Sequence, residues 1–112
     1  MTKEEAISHI AKEFLTAEHA KNVNNNGMVR VCTRRAAGIA ISFWLQSHSR
    51  QGWGRDAVHQ LRALRLDEKM PQDIRNAAER LTARVTAQFS SPYTTNPMDD
   101  SKIIIDHLLE NT

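Results

Sequence analysis

Between residues 28 and 65 the chain carries seven arginines (Arg30, Arg34, Arg35, Arg50, Arg55, Arg62 and Arg65), no lysine, and a single acid, Asp56. That stretch has a formal charge of +6, so in a chain of net charge +2 the remainder carries 2 − 6 = −4. Arginine presents a planar fork of donors that grips phosphate or carboxylate in a bidentate fashion and stacks on bases. An asymmetric charge of this kind points to an anionic partner, either RNA, a nucleotide or an acidic protein surface. Arg30 and Arg34 lie one helical turn apart with Arg35 beside them, and Arg55 follows a glycine. These four are the candidate binding residues. The competing expectation is that the arginines border the core or pair with acids on the terminal helices, as many charge runs do.

Residues suited to catalysis are thinly spread. The five histidines, His9, His19, His48, His59 and His107, include no pair at i and i+4, and no cysteine pair lies near them, so no metal site is expected. There is no glycine-rich phosphate loop and no Gly-x-Ser-x-Gly elbow, and no cofactor is expected. His59, close to the basic stretch and titratable near neutral pH, is the remaining candidate for acid–base work, with Arg34 and Arg55 as its companions and His48 as a weaker second. Trp53 and Tyr93 lie in loops, where such rings close over a core more often than they stack on a base.

The elements that must position these residues are helices. In residues 28–46, Val29, Cys32, Ala36, Ile39, Ala40 and Phe43 recur at spacings of three and four and form one stripe. Ile41, Trp44 and Leu45 add apolar surface on other faces, which predicts a central helix surrounded by protein. Ala36, Ala37, Gly38 and Ala40 are small enough to admit a close neighbour. Arg30 and Arg34 fall off the stripe, on an expected polar edge. Thr2 and Glu5 form a capping box for a first helix over residues 3–20, with Ile7, Ile10, Ala11, Phe14 and Leu15 on its apolar face. An Asn-rich tract at 22–27 ends in Asn-Gly and turns the chain. Asp56 caps a third helix carrying Ala57, Val58, Leu61 and Leu64 to near Arg65. Pro71 opens a fourth, with Ile74, Ala77, Ala78, Leu81 and Val85 inward. Asn96 and Pro97 start a last one, in which Ile103, Ile104 and Ile105 belong to a helix because no second strand is available to pair with them.

A chain of 112 residues with 40% hydrophobic residues fits one domain over residues 1–112 with a single core. Its longest apolar run is too short for a bilayer and its first residues are charged, so a cytoplasmic protein without membrane contact is expected. Cys32, the single cysteine, sits on the apolar stripe and agrees with a reducing compartment.

The order of these features resembles the HEPN (higher eukaryote and prokaryote nucleotide-binding) family. A capped first helix and polar turn lead into a long alanine-rich helix. Then follow Trp53-Gly54-Arg55-Asp56-Ala57-Val58 with Leu61 and Leu64, Pro71 with Ala77, Ala78 and Leu81, and an acid-started last helix with its Lys-Ile-Ile-Ile run. The resemblance spans nearly the whole chain. It implies an all-α, up-and-down bundle of about five helices, usually a homodimer, and either a ribonuclease, often a toxin of a toxin–antitoxin pair, or a partner of a small nucleotidyltransferase. Catalytic members carry an Arg, four to six residues, then a His near the end of the fourth helix. Here the matching segment, 84–92, reads RVTAQFSSP, with Phe89 and Ser90 in the region, and no arginine of the chain has a histidine at that spacing. Where many relatives have Gly-His before the third helix, this chain has Gly54-Arg55. The expectation is therefore a non-catalytic HEPN-like binding or accessory module. The alternatives are a ribonuclease with a non-standard set, Arg34, Arg55 and His59, and a structural scaffold that pairs with a partner domain.

Overall fold

The computed structural model describes residues 1–83 and 96–112, and the expectations for Val85, the 84–92 segment and Tyr93 lie outside them. Thr2 starts α1 (Lys3–Asn22) with the expected capping box: the Glu5 amide donates to Thr2 Oγ1 at 3.2 Å and the Glu5 carboxylate accepts from the Thr2 amide at 3.4 Å. Its buried residues are Ala6, Ile10, Ala17 and Ala20. Ile7 and Leu15, expected on the inner face, are exposed, Leu15 by 74%. The reason is the close approach of the next helix, which a row of alanines admits and a row of larger side chains would hold off. The turn reverses through Asn24 at φ 58°, a left-handed conformation that asparagine tolerates.

Asn25 then caps α2 (Asn26–Leu45), its side chain accepting from the Met28 amide. The helix begins two residues before the expected start at 28, and Gly27 lies within its first turn. Val29, Cys32, Thr33, Ala36, Ala37, Gly38, Ala40, Ile41 and Trp44 are all buried, which is more than one stripe and makes α2 the central helix. Asp56 caps α3 (Ala57–Leu66), and Pro71 stands at the cap position of α4 (Gln72–Thr82). Asn96 caps α5 (Pro97–Glu110) with Pro97 in its first turn, so the triple isoleucine is helical.

Among the described residues there are five helices and no strand, an all-α bundle. Helices α2, α3, α4 and α5 pack each on the next, and α5 returns to α2; α1 lies outside this ring on α2, with a slight contact to α5. The main core draws residues from all five helices, together with Trp53 and Met70 from the connections. A smaller cluster of Ala17, Ala20, Val29, Cys32 and Met98 lies where α1 meets α2 and the start of α5, with Phe14 packed against both. No described helix is long and apolar enough to cross a membrane.

Candidate anion-binding surface

Arg30 and Arg34 stand one turn apart on α2 and point at the C-terminal end of α4. Arg34 Nε donates to the Leu81 carbonyl at 2.7 Å, and Arg30 Nη2 donates to the Ala83 carbonyl at 2.7 Å and to Leu81 at 3.3 Å. The last carbonyls of a helix have no partner within it and carry its negative dipole end, so two guanidinium groups there satisfy both the hydrogen bonds and the field. Burial lowers the pKa of both guanidiniums. For Arg34 the charges of Arg30 and Arg62 lower it further. The first half of α2 thus carries a half-buried tether to α4 in place of the expected open polar edge.

Three more arginines are tied into the fold in related ways. Arg75 on α4 donates from Nε to the Arg65 carbonyl at 2.8 Å, serving the end of α3 as Arg30 and Arg34 serve the end of α4. Arg50 pairs with Asp67 at 3.2 Å and lies 5.2 Å over the Trp44 ring. Trp44 in turn stacks on His48 and packs against Trp53, which is 8% exposed and closes over the core as expected. Arg80 reaches Asp100, 4% exposed in its side chain, at 2.9 Å. Neither Arg75 nor the Arg80–Asp100 pair was anticipated from the sequence. The signal available was an arginine one or two turns from a helix end, and it does not say which neighbour's carbonyls or carboxylate it will meet.

The remaining candidates, Arg35 and Arg55, stay at the surface, as does Arg62. Arg35 is exposed and pairs loosely with Glu13 of α1 at 3.6 Å. Arg55 is exposed just before the α3 cap, and Arg62 is exposed on α3 itself. Among the described residues neither Arg55 nor Arg62 has an ion-pair partner. His59 lies between them, also exposed, with its Nδ1 against the Asp56 carboxylate. Asp56 accepts from the His59 amide at 3.0 Å as well, and these two contacts, the amide first, hold its carboxyl below the ordinary aspartate range. On α3, His59, Arg62 and Leu66 follow at i, i+3 and i+7 and share the outward side, opposite buried Gln60, Leu61 and Leu64. Of the four arginines expected together, then, Arg30 and Arg34 join at α4, Arg35 faces α1, and Arg55 is exposed ahead of α3. The spacing of Arg62 from the apolar residues of α3 was visible in the sequence and assigns it to this side.

Among the described residues no group of three or more histidines, cysteines or acids is placed to hold a metal ion. Comparison of the chain with protein-family models, with curated proteins and with solved structures finds no match.

Proposed function

We propose that the protein is a non-catalytic, HEPN-like binding or accessory module for an anionic partner, and that it binds through exposed Arg55, just ahead of α3, and through His59 and Arg62 on the outward side of α3. The observation that supports this most is the division of labour among the arginines. Arg30, Arg34, Arg50, Arg75 and Arg80 each have a carbonyl or carboxylate within the fold, whereas Arg55 and Arg62 are exposed without an ion-pair partner among the described residues. The charge of Arg62 lowers the pKa of Arg34, so the two guanidiniums are near neighbours where α2 meets α3. A homodimer and a nucleotidyltransferase encoded alongside belong to the proposal through the family resemblance alone. The test is binding of anionic probes at low salt by the parent, by Arg55→Ala/Arg62→Ala and by Arg35→Ala. Loss in the double variant and retention in Arg35→Ala is the expected pattern. Equal binding by all three would refute it.

A second proposal, a ribonuclease toxin, draws support from the Asp56–His59 contact. An aspartate on Nδ1 fixes the tautomer that leaves the lone pair on Nε2, the form a general base needs. Arg34 leaves that set because its guanidinium serves α4. Asp56 also caps α3 by accepting from the His59 amide, which by itself brings the two side chains together, and a guanidinium cannot act as a base near pH 7. Incubation with RNA in chelator should leave the RNA intact. Cleavage that His59→Ala abolishes would promote the ribonuclease.

A further inference from the structure

Resting on the binding proposal above, we infer that its anionic partner is a second copy of this chain: the outward side of α3 docks on the outward side of α5 of the next molecule, head to tail. On α3 that side is His59, Arg62 and Leu66, all exposed, with Arg62 free of ion pairs among the described residues. On α5 the exposed residues Asp99, Ile103, Asp106 and Glu110 follow at i, i+4, i+7 and i+11 and form a single row, opposite buried Ser101, Ile104 and Leu108. Among the described residues none of its three carboxylates has an ion-pair partner. Asp100, the other acid of α5, is buried on Arg80, and Lys102 lies over the Phe14 ring of α1, so the row stays acidic.

Each row also holds one large apolar side chain, Leu66 at 66% and Ile103 at 39% exposure. The rows match in length, since His59 to Leu66 and Ile103 to Glu110 each advance seven residues, about 10 Å at about 1.5 Å per residue. Set antiparallel with Leu66 on Ile103, the α3 row brings Arg62 to Asp106 and His59 to Glu110. The two apolar side chains then leave water together, while the charges around them set the register and speed encounter. Because Asp56 already lies against His59, Arg62 carries most of the attraction. In the bundle α3 packs on α2 and α4 and stands across from α5, so the two rows look out on opposite sides. One pair of molecules cannot make both contacts. Each docking leaves a free row at either end, which distinguishes this assembly from the two-fold homodimer that the family resemblance implies: a two-fold contact through either row would set like charges against each other.

A stable pair of proteins buries about 1,200–2,000 Å² in total. One short helix face on another stands at the weak end, so association belongs to high protein concentration and is undone by salt, which screens exposed charges. The experiment is sedimentation velocity over a range of protein concentrations in low and high salt. In low salt the average mass of the parent should rise with concentration past that of two copies, and high salt should return it to that of one. Arg62→Glu, which spoils the α3 row, and Ile103→Asp, which spoils the α5 row, should each stay monomeric. Mixed in equal amounts, these two variants should form a pair and nothing larger, because each keeps the row that the other lacks. Exchanging both charges in one chain, Arg62→Glu with Asp106→Lys, should restore growth that either exchange alone abolishes. Circular dichroism shows that each variant is folded. Growth of the parent that stops at two copies, or a mixture of Arg62→Glu and Ile103→Asp that stays monomeric, would overturn the inference. A parent that stays monomeric yet binds a glutamate oligomer, and loses it in Arg55→Ala/Arg62→Ala, would overturn the inference and leave the anion-binding module standing. A parent that neither associates nor binds any anionic probe would overturn both.

Discussion

Arg30 and Arg34 show how little a charged residue's position on a helical wheel says about its work. Both sit off the apolar stripe of α2, as the spacing predicts, yet both guanidiniums donate to the Leu81 and Ala83 carbonyls. Removing a charged donor from a partly buried carbonyl costs about 1.5–3 kcal/mol, against about 0–1 kcal/mol for an exposed ion pair. Arg34→Gln and Arg30→Gln should therefore each lower stability in urea melts clearly more than Arg35→Gln, whose 3.6 Å pair with Glu13 is exposed. Equal, small effects from all three would show that the tether to α4 is not a stabilising one. The carbonyls were illegible in the sequence because every residue has one, and only the packing of α4 against α2 selects which are met. Asp56 lends itself to a pH test at the same scale. Its carboxyl is held below the usual range by the His59 amide and ring, so its contribution to α3 is complete above the ordinary aspartate value, about 3.9, and is lost as pH falls through the lower folded value. The stability difference between the parent and Asp56→Ala should be constant at neutral pH and shrink in acid below that range. A difference that persists unchanged at pH 2 would refute the charged cap.

At the scale of elements, the crossing of α2 and α3 depends on Gly38. A Cβ there would stand 2.9 Å from Ala57 Cβ and 3.2 Å from Ala57 Cα, atoms that move only with the α3 backbone. Alanine in a helix gains about 1 kcal/mol over glycine in propensity, while overpacking of a close contact costs about 1–3 kcal/mol. Gly38→Ala is expected to destabilise on balance, and Ala57→Gly introduced with it should recover part of the loss, an interaction that a double-mutant cycle measures directly. Independent, additive effects would mean the helices do not meet there. The small cluster at 36–40 foretold this contact, and the caps at Thr2, Asp56 and Asn96 foretold three helix starts, because local side-chain to backbone bonds are written in the sequence. The inner face of α1 was foretold only in part: Ile10 and Phe14 pack inward as their spacing implies, but apolar size also points to Ile7 and Leu15, where close packing instead selects Ala6, Ala17 and Ala20. The tetrad of candidate arginines was divided for a similar reason: its members are near in sequence, but α2 and α3 turn them toward different neighbours.

At the scale of the whole molecule the five helices are not held equally. The ring of α2 to α5 closes on itself, while α1 is attached almost entirely to α2 and buries three alanines and one isoleucine. The contact of α1 with α2 is the most extensive between two helices, but it is made largely through small side chains that bury little apolar area, and a unit held so opens at a free energy below that of global unfolding. Cys32 reports on this opening. It is fully buried in the cluster it shares with Ala17 and Ala20 of α1, and burial raises its thiol pKa, so the closed form is protonated and shielded from reagents. Lifting α1 exposes it. Labelling of Cys32 by an excess of disulfide reagent should proceed in native buffer faster than global unfolding allows, and at low urea its rate should vary little with urea, because the opening exposes only a fraction of the surface that governs the denaturant slope. At higher urea the rate should steepen and merge with the global transition. If labelling instead follows the full global slope down to zero urea, α1 and the four-helix ring unfold as one unit, and the ring does not stand as a separate cooperative core.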